Sequence, residues 1–168
     1  MILRVSAAFA KQFKCVLSHA GEKVPQERRL DAWSCHFIRV RRKPVVVAMN
    51  DATLYTLILP VTGVKGFPEL WLKLLGRIGE VWKRHGVDFD PDNQAVILLS
   101  RTNRSLIGSM NDATQLLQFY DAHARDERRE LDLEMMEARS NQTPYKVLKY
   151  EWPEGLLAKA LRAKMDDE

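Results

Sequence analysis

Between Trp33 and Pro60 three short apolar runs follow one another with turn residues between them, a pattern built for adjacent antiparallel strands. In the first run Trp33, Cys35 and Phe37 alternate with Ser34, His36 and Ile38, as a strand with two distinct faces requires. Arg41-Arg42-Lys43-Pro44 interrupts it, and the β-branched run Val45 to Met49 makes a second strand. Asn50-Asp51 is a turn signal, because these side chains bond the local backbone and tolerate unusual dihedral angles. Leu54 to Leu59, closed by Pro60, completes a three-stranded meander.

The flanking sequence adds helices. Leu3 and Val5 start a strand, and Ser6 can cap a helix with Phe9, Phe13 and Val16 on one side. Ser18 to Asp31 is polar, lacks a period and reads as a surface loop. Pro68, then Leu70, Trp71, Leu74, Leu75, Ile78 and Trp82, then Gly86 mark a complete amphipathic helix. Ala95 to Leu99 is an apolar strand that Arg104 to Met110 can pair with across Thr102-Asn103, giving a second hairpin with a bulge at Gly108. A long helix is expected from Asp112 toward Arg139, with a wholly charged stretch at Arg125 to Glu130. Tyr145 to Trp152 reads as extended, and Pro153 opens a last amphipathic helix. The expectation is an α+β fold: a mixed, mainly antiparallel sheet (meander plus hairpin) with helices packed against it. Residues 1–168 form a single domain, with 140–168 a C-terminal extended segment and helix packed on it.

The chain is long enough for one core, and 46% hydrophobic residues with 29% charged place it among globular proteins. No apolar run approaches the roughly 20 residues that span a bilayer, and the first residues lack a signal-peptide layout, so the expected location is cytoplasmic, away from membranes. Cys15 and Cys35 read as two reduced thiols. A net charge of +4 and a pI near 9.1 permit contact with nucleic acid or an acidic protein partner without requiring it.

Two segments look familiar together: Trp33 through Pro60, with its Arg-Arg-Lys, apolar strand and Met-Asn-Asp-Ala-Thr, and the run from Asn103 to Asp112, Asn-Arg-Ser-Leu-Ile-Gly-Ser-Met-Asn-Asp. The chain from Leu3 to the end of the long helix resembles a family of uncharacterised bacterial proteins that carries this second motif. The resemblance implies no particular chemistry; it implies only that some relatives lie near plasmid-borne or other mobile-element genes.

Met-Asn-Asp-Ala-Thr occurs twice, at 49–53 and 110–114. Alternation follows the first copy and helical spacing the second, so the expected roles are a hairpin turn and a helix cap. The functional alternative brings Asp51 and Asp112 to one sheet edge as carboxylates for a divalent metal or for acid–base work. Asn103, Arg104 and Ser105 before a helix start could form an anion site. Arg39, Arg41, Arg42 and Lys43 at a strand connection have a placement that can track phosphates. His36, opposite Trp33 and Phe37, is expected to be exposed beside that basic run, where it could shuttle a proton. No pair of histidines has metal-ligand spacing, and no Gly-rich phosphate loop, dinucleotide fingerprint or nucleophile elbow is found, so no cofactor is implied.

Two functions follow. The leading one is a non-enzymatic binding or interaction module that contacts nucleic acid or a partner protein. The rival is a small hydrolase or nuclease using Asp51 and Asp112 with a metal, or His36 with Arg104. A homodimer through the 112–139 helix is a third, structural expectation.

Overall fold

The alternating run becomes β2 (Ala32–Val40), and the two after it become β3 (Lys43–Asn50) and β4 (Thr56–Pro60), in a computed structural model that describes residues 1–18, 29–92 and 94–166. These three are the expected meander, antiparallel throughout. β1 (Ile2–Val5) lies parallel to β2, and β5 (Ile97–Ser100) lies parallel to β1, giving the order β4-β3-β2-β1-β5. The antiparallel ladders join eight and five residue pairs and the parallel ones four each, so the sheet is mixed with its longer ladders antiparallel.

The first face is covered by α1 (Ala7–Phe13), α2 (Phe67–Arg84) and α5 (Pro153–Asp166). Ser6 caps α1 by accepting from the Phe9 amide at 3.1 Å, as its hydroxyl predicts. That helix ends at Lys14 in the left-handed region, which leaves Val16 outside it and 88% exposed rather than on the apolar stripe. α2 runs as its period requires: Leu70, Leu74, Leu75, Ile78, Val81 and Trp82 are buried. Each such side chain stabilises the fold by roughly 1.5–3 kcal/mol. Just past its end, Gly86 takes φ +77, a conformation that costs glycine little.

The second face differs from expectation. Leu106, Met110, Ala113 and Leu117 recur at three- and four-residue intervals and are buried, and Asn103 accepts from the Ser105 and Leu106 amides. Arg104–Met110 is therefore the first part of α3 (Arg104–Asp126), and the second hairpin does not form. Gly108 lies inside this helix, not at a bulge, and Asp112 sits in its interior instead of capping its start. Nor does the helix continue to Arg139. The charged run after Ala124 has no apolar side chain to bury; Arg128 turns at φ 56, and Asp132 caps a separate α4 (Leu133–Asn141) by accepting from the Met135 amide at 2.9 Å. The continuous 112–139 helix invoked for a homodimer is thus two helices, with Leu117 and Met136 packed on Ile38, Val45, Val47 and Ile58.

Residues 145–152, expected to be extended, make a compact turn with 3₁₀ helix at Lys146–Leu148 and left-handed Lys149 and Tyr150. Tyr145 and Leu148 join Met49, Leu54, Leu106 and Met110 in a cluster at one end of the second face. α4 also closes the open edge of β4: Asn141 accepts from the Thr56 amide at 2.7 Å and donates to its carbonyl at 2.9 Å, while Glu137 accepts from the Ile58 amide at 2.8 Å. Side chains thereby take the place of a sixth strand. Of the expected loop from Ser18 to Asp31, residues 19–28 lie outside the described residues; Ser18 donates its amide to Leu98 at the other sheet edge. Among the described residues no helix is long and apolar enough to cross a membrane.

Candidate functional site

The basic run folds as the tip of the β2–β3 hairpin. Val40 and Lys43 are the last paired residues, and Arg41 (φ 49) and Arg42 (φ 65) are the two turn residues, both left-handed as a two-residue type I′ turn demands. Asn and Gly are the usual occupants, so arginine here works against backbone preference. Asp121 on α3, buried at the foot of the tip, organises the charges. Its Oδ1 accepts from Arg41 Nε and its Oδ2 from an Arg125 terminal nitrogen, each at 2.5 Å, and Arg41 also donates to the Arg129 carbonyl at 3.1 Å. Burial alone would raise the Asp121 carboxyl, but the hydrogen bonds and charges of Arg125 and Arg41 outweigh it and hold the group below the usual carboxylate range. Arg39, with its guanidinium carbon 5.6 Å from the Phe37 ring centre, donates to the Arg42 carbonyl. Arg39, Arg41, Arg42 and Arg125 line an open cleft of about 490 Å³. Beyond Arg125, Phe119 is 66% exposed, and Phe119, Tyr120, His123, Arg129 and Arg139 help line a neighbouring cleft of about 360 Å³.

Asp51 and Asp112 have opposite surroundings. Asp51 is buried and accepts from Ser34 Oγ at 2.8 Å, and it pairs with the half-buried Arg4. Asp112 is exposed on α3. Asn50, also buried, donates to the Leu30 carbonyl at 2.9 Å, and its Oδ1 accepts from the Ala52 and Thr53 amides and the Thr53 hydroxyl, as expected of a turn residue. Among the described residues no three His, Cys, Asp or Glu side chains gather as a metal would need.

His36 is not beside the arginine tip. α3 covers its face of the sheet, and the ring is half-buried with Nδ1 2.9 Å from Ser6 Oγ. Burial, and then the charge of Arg101, lower its pKa below the ordinary imidazole value, which favours the neutral ring. Of Asn103, Arg104 and Ser105, Asn103 is occupied as the cap of α3, while Arg104 and Ser105 are exposed on its first turn. Cys35 is fully buried and burial pushes its thiol up; Cys15 is half-buried, and both are free.

Arg4, Ser34, Ser6 and Arg101 are absent from the candidates the sequence suggests. Arg4 and Ser34 look like ordinary outward positions of strands; they are neighbours in register, and Ser34 is buried because α3 returns over that face. Arg101 directly follows a strand, a position that gains meaning only once that strand is known to be parallel.

The class these features define is an α+β domain with an open mixed sheet, helices on both faces, a basic hairpin tip and a polar seam under α3. The chain matches, over residues 2–155, the model of a family described as Domain of unknown function (DUF6933), and it belongs to that family. No curated protein matches it.

Proposed function

We propose that this chain is a non-enzymatic binding module that engages the phosphate backbone of a nucleic acid through the β2–β3 hairpin tip. The observation that carries this reading is the arrangement around Asp121. One buried carboxylate holds Arg41 and Arg125 in place, while Arg39, Arg42 and Lys43 stand beside them with no carboxylate partner among the described residues. Several guanidinium groups fixed along an open cleft suit phosphates better than they suit a small neutral ligand. Exposed Phe119 and the Arg139 guanidinium 5.0 Å from the Tyr120 ring centre add a surface on which bases can stack.

The rival reading, a metal-assisted hydrolase or nuclease using Asp51 and Asp112, lacks a favouring observation, because Asp51 is occupied by Arg4 and Ser34. Fluorescence anisotropy with duplex DNA, single-stranded DNA and RNA at two salt concentrations tests the proposal. Four phosphate contacts on a duplex give a fall in affinity of about 100-fold between 50 and 200 mM salt. Arg39→Glu and Arg42→Glu should each weaken binding and flatten that dependence. Absence of salt-sensitive binding to all three nucleic acids would reject the reading, and salt-sensitive binding to an acidic protein instead would move the same surface to a different partner.

A further inference from the structure

β1 and β5 are neighbouring parallel strands, yet the chain leaves their carboxyl ends toward opposite faces of the sheet. After β1 it turns at Ser6 into α1, whose Phe9 and Phe13 pack on the first face. After β5 it passes Arg101 into α3, whose Leu106, Met110 and Leu117 pack on the second. In open sheets a crevice forms where adjacent parallel strands send their connections apart, and ligands bind there. Three residues lie at this one, and the charge of Arg101 is felt at the His36 ring. Arg101 lies beside the end of β1, its amide donating to the Val5 carbonyl at 3.2 Å, and Ser6 lies beside His36 at 2.9 Å.

Arg101 is the anomaly. Among the described residues four arginines are half-buried: Arg4, Arg41, Arg77 and Arg101. The first three pair with the buried carboxylates of Asp51, Asp121 and Glu137. Arg101 has no such partner among those residues. A terminal nitrogen rests on the Met110 sulfur at 2.9 Å, a weak acceptor, and its buried Nε has no hydrogen-bond partner. A cation taken partly out of water without an anion is costly, so the site is electrostatically incomplete. His36 beside it can add a donor. Ser6 Oγ accepts from the Phe9 amide, and donating its own proton to His36 Nδ1 satisfies both groups and puts the ring proton on Nε2.

We infer that the crevice at the carboxyl ends of β1 and β5 binds an oxyanion, the carboxylate or phosphate group of a small ligand, on the Arg101 guanidinium with His36 alongside. The site shares no residue with the hairpin tip and does not depend on nucleic-acid binding there. Thermal melts of the intact chain, titrated with inorganic phosphate and separately with succinate against chloride at matched ionic strength, test it. A saturable rise in melting temperature with either anion is expected, by about 5–10 °C at 100 times the fitted Kd, and which anion acts identifies the group bound. Arg101→Met should abolish the response. If that variant does not fold, Arg101→Lys, which keeps the charge and loses the planar fork, should weaken binding at least about tenfold. Proton NMR of the His36 ring should show its pKa rise on saturation with the anion. Arg42→Glu should keep this response while weakening nucleic-acid binding, so the two readings fail separately. No saturable shift with either anion, or an Arg101→Met response equal to that of the unaltered chain, overturns the inference.

Discussion

Met49–Thr53 and Met110–Thr114 carry the same five residues on two different backbones. In the first, the chain turns from β3 toward β4, and the turn draws Asn50, Asp51 and Thr53 inward to meet backbone groups, Ser34 and Arg4. In the second, α3 winds the residues around its axis, so Met110, Ala113 and Thr114 face the sheet while Asn111 and Asp112 face solvent. Both methionines nevertheless enter one cluster, with Leu54 and Leu106. Identical side chains thus become a buried polar knot or a solvated helix face, according to the period that carries them.

The sharpest way to break this contrast is to remove the two aspartates one at a time. Asp51→Ala breaks a buried ion pair and removes the acceptor of Ser34 Oγ, and should cost about 3–5 kcal/mol in urea unfolding, while Asp112→Ala should stay within about 0.5 kcal/mol. Comparable losses would mean that the second copy also supports the fold. The asparagines should separate next: Asn50→Ala leaves several buried groups without partners and should cost about 2 kcal/mol, whereas Asn111→Ala should stabilise the chain by about 0.5 kcal/mol through helix propensity. Gly108→Ala, two residues before the second copy, has open space around the new methyl group and should add about 0.5–1 kcal/mol, which denaturant melts would read directly. A net loss there would argue against a helix through this stretch. The smallest effect concerns Tyr145, whose pKa is pushed up to about 12 by burial and, secondarily, by Asp112. A raised pKa means the neutral phenol stabilises the fold below the unfolded value, with that contribution lost as pH climbs from about 10 through 12. Asp112→Asn should lower the titration midpoint at 295 nm and soften the stability loss in that window.

What the sequence reveals follows from how local each signal is. α2 is legible because its period, Pro68 and Gly86 all lie within one stretch, and the meander because alternation and turn residues lie side by side. The beginning of α3 is also local, in the four-three-four spacing of Leu106, Met110, Ala113 and Leu117, but the apolar run of β5 just before it and the Thr102-Asn103 turn signal suggest a hairpin. The polar seam is not legible. Ser34 and His36 alternate with Trp33, Cys35 and Phe37 as exposed residues would, and they are covered only because α3 returns from far along the chain. Arg101 needs still more, a parallel pairing that no local pattern encodes. The arginine tip is legible as charge, but Asp121, which orders it, belongs to a helix about 80 residues away.

The position of β1 has a kinetic consequence. The meander can close from neighbouring segments, but the β1–β5 ladder joins Ile2 to Ile97 and must wait for a long loop to close. The crevice beside Arg101 therefore lies at the ladder whose loop costs the most entropy to close in this sheet. An anion bound only once that ladder has formed slows departure from the native state, and it leaves the rate of reaching that state unchanged if the ladder closes after the transition state.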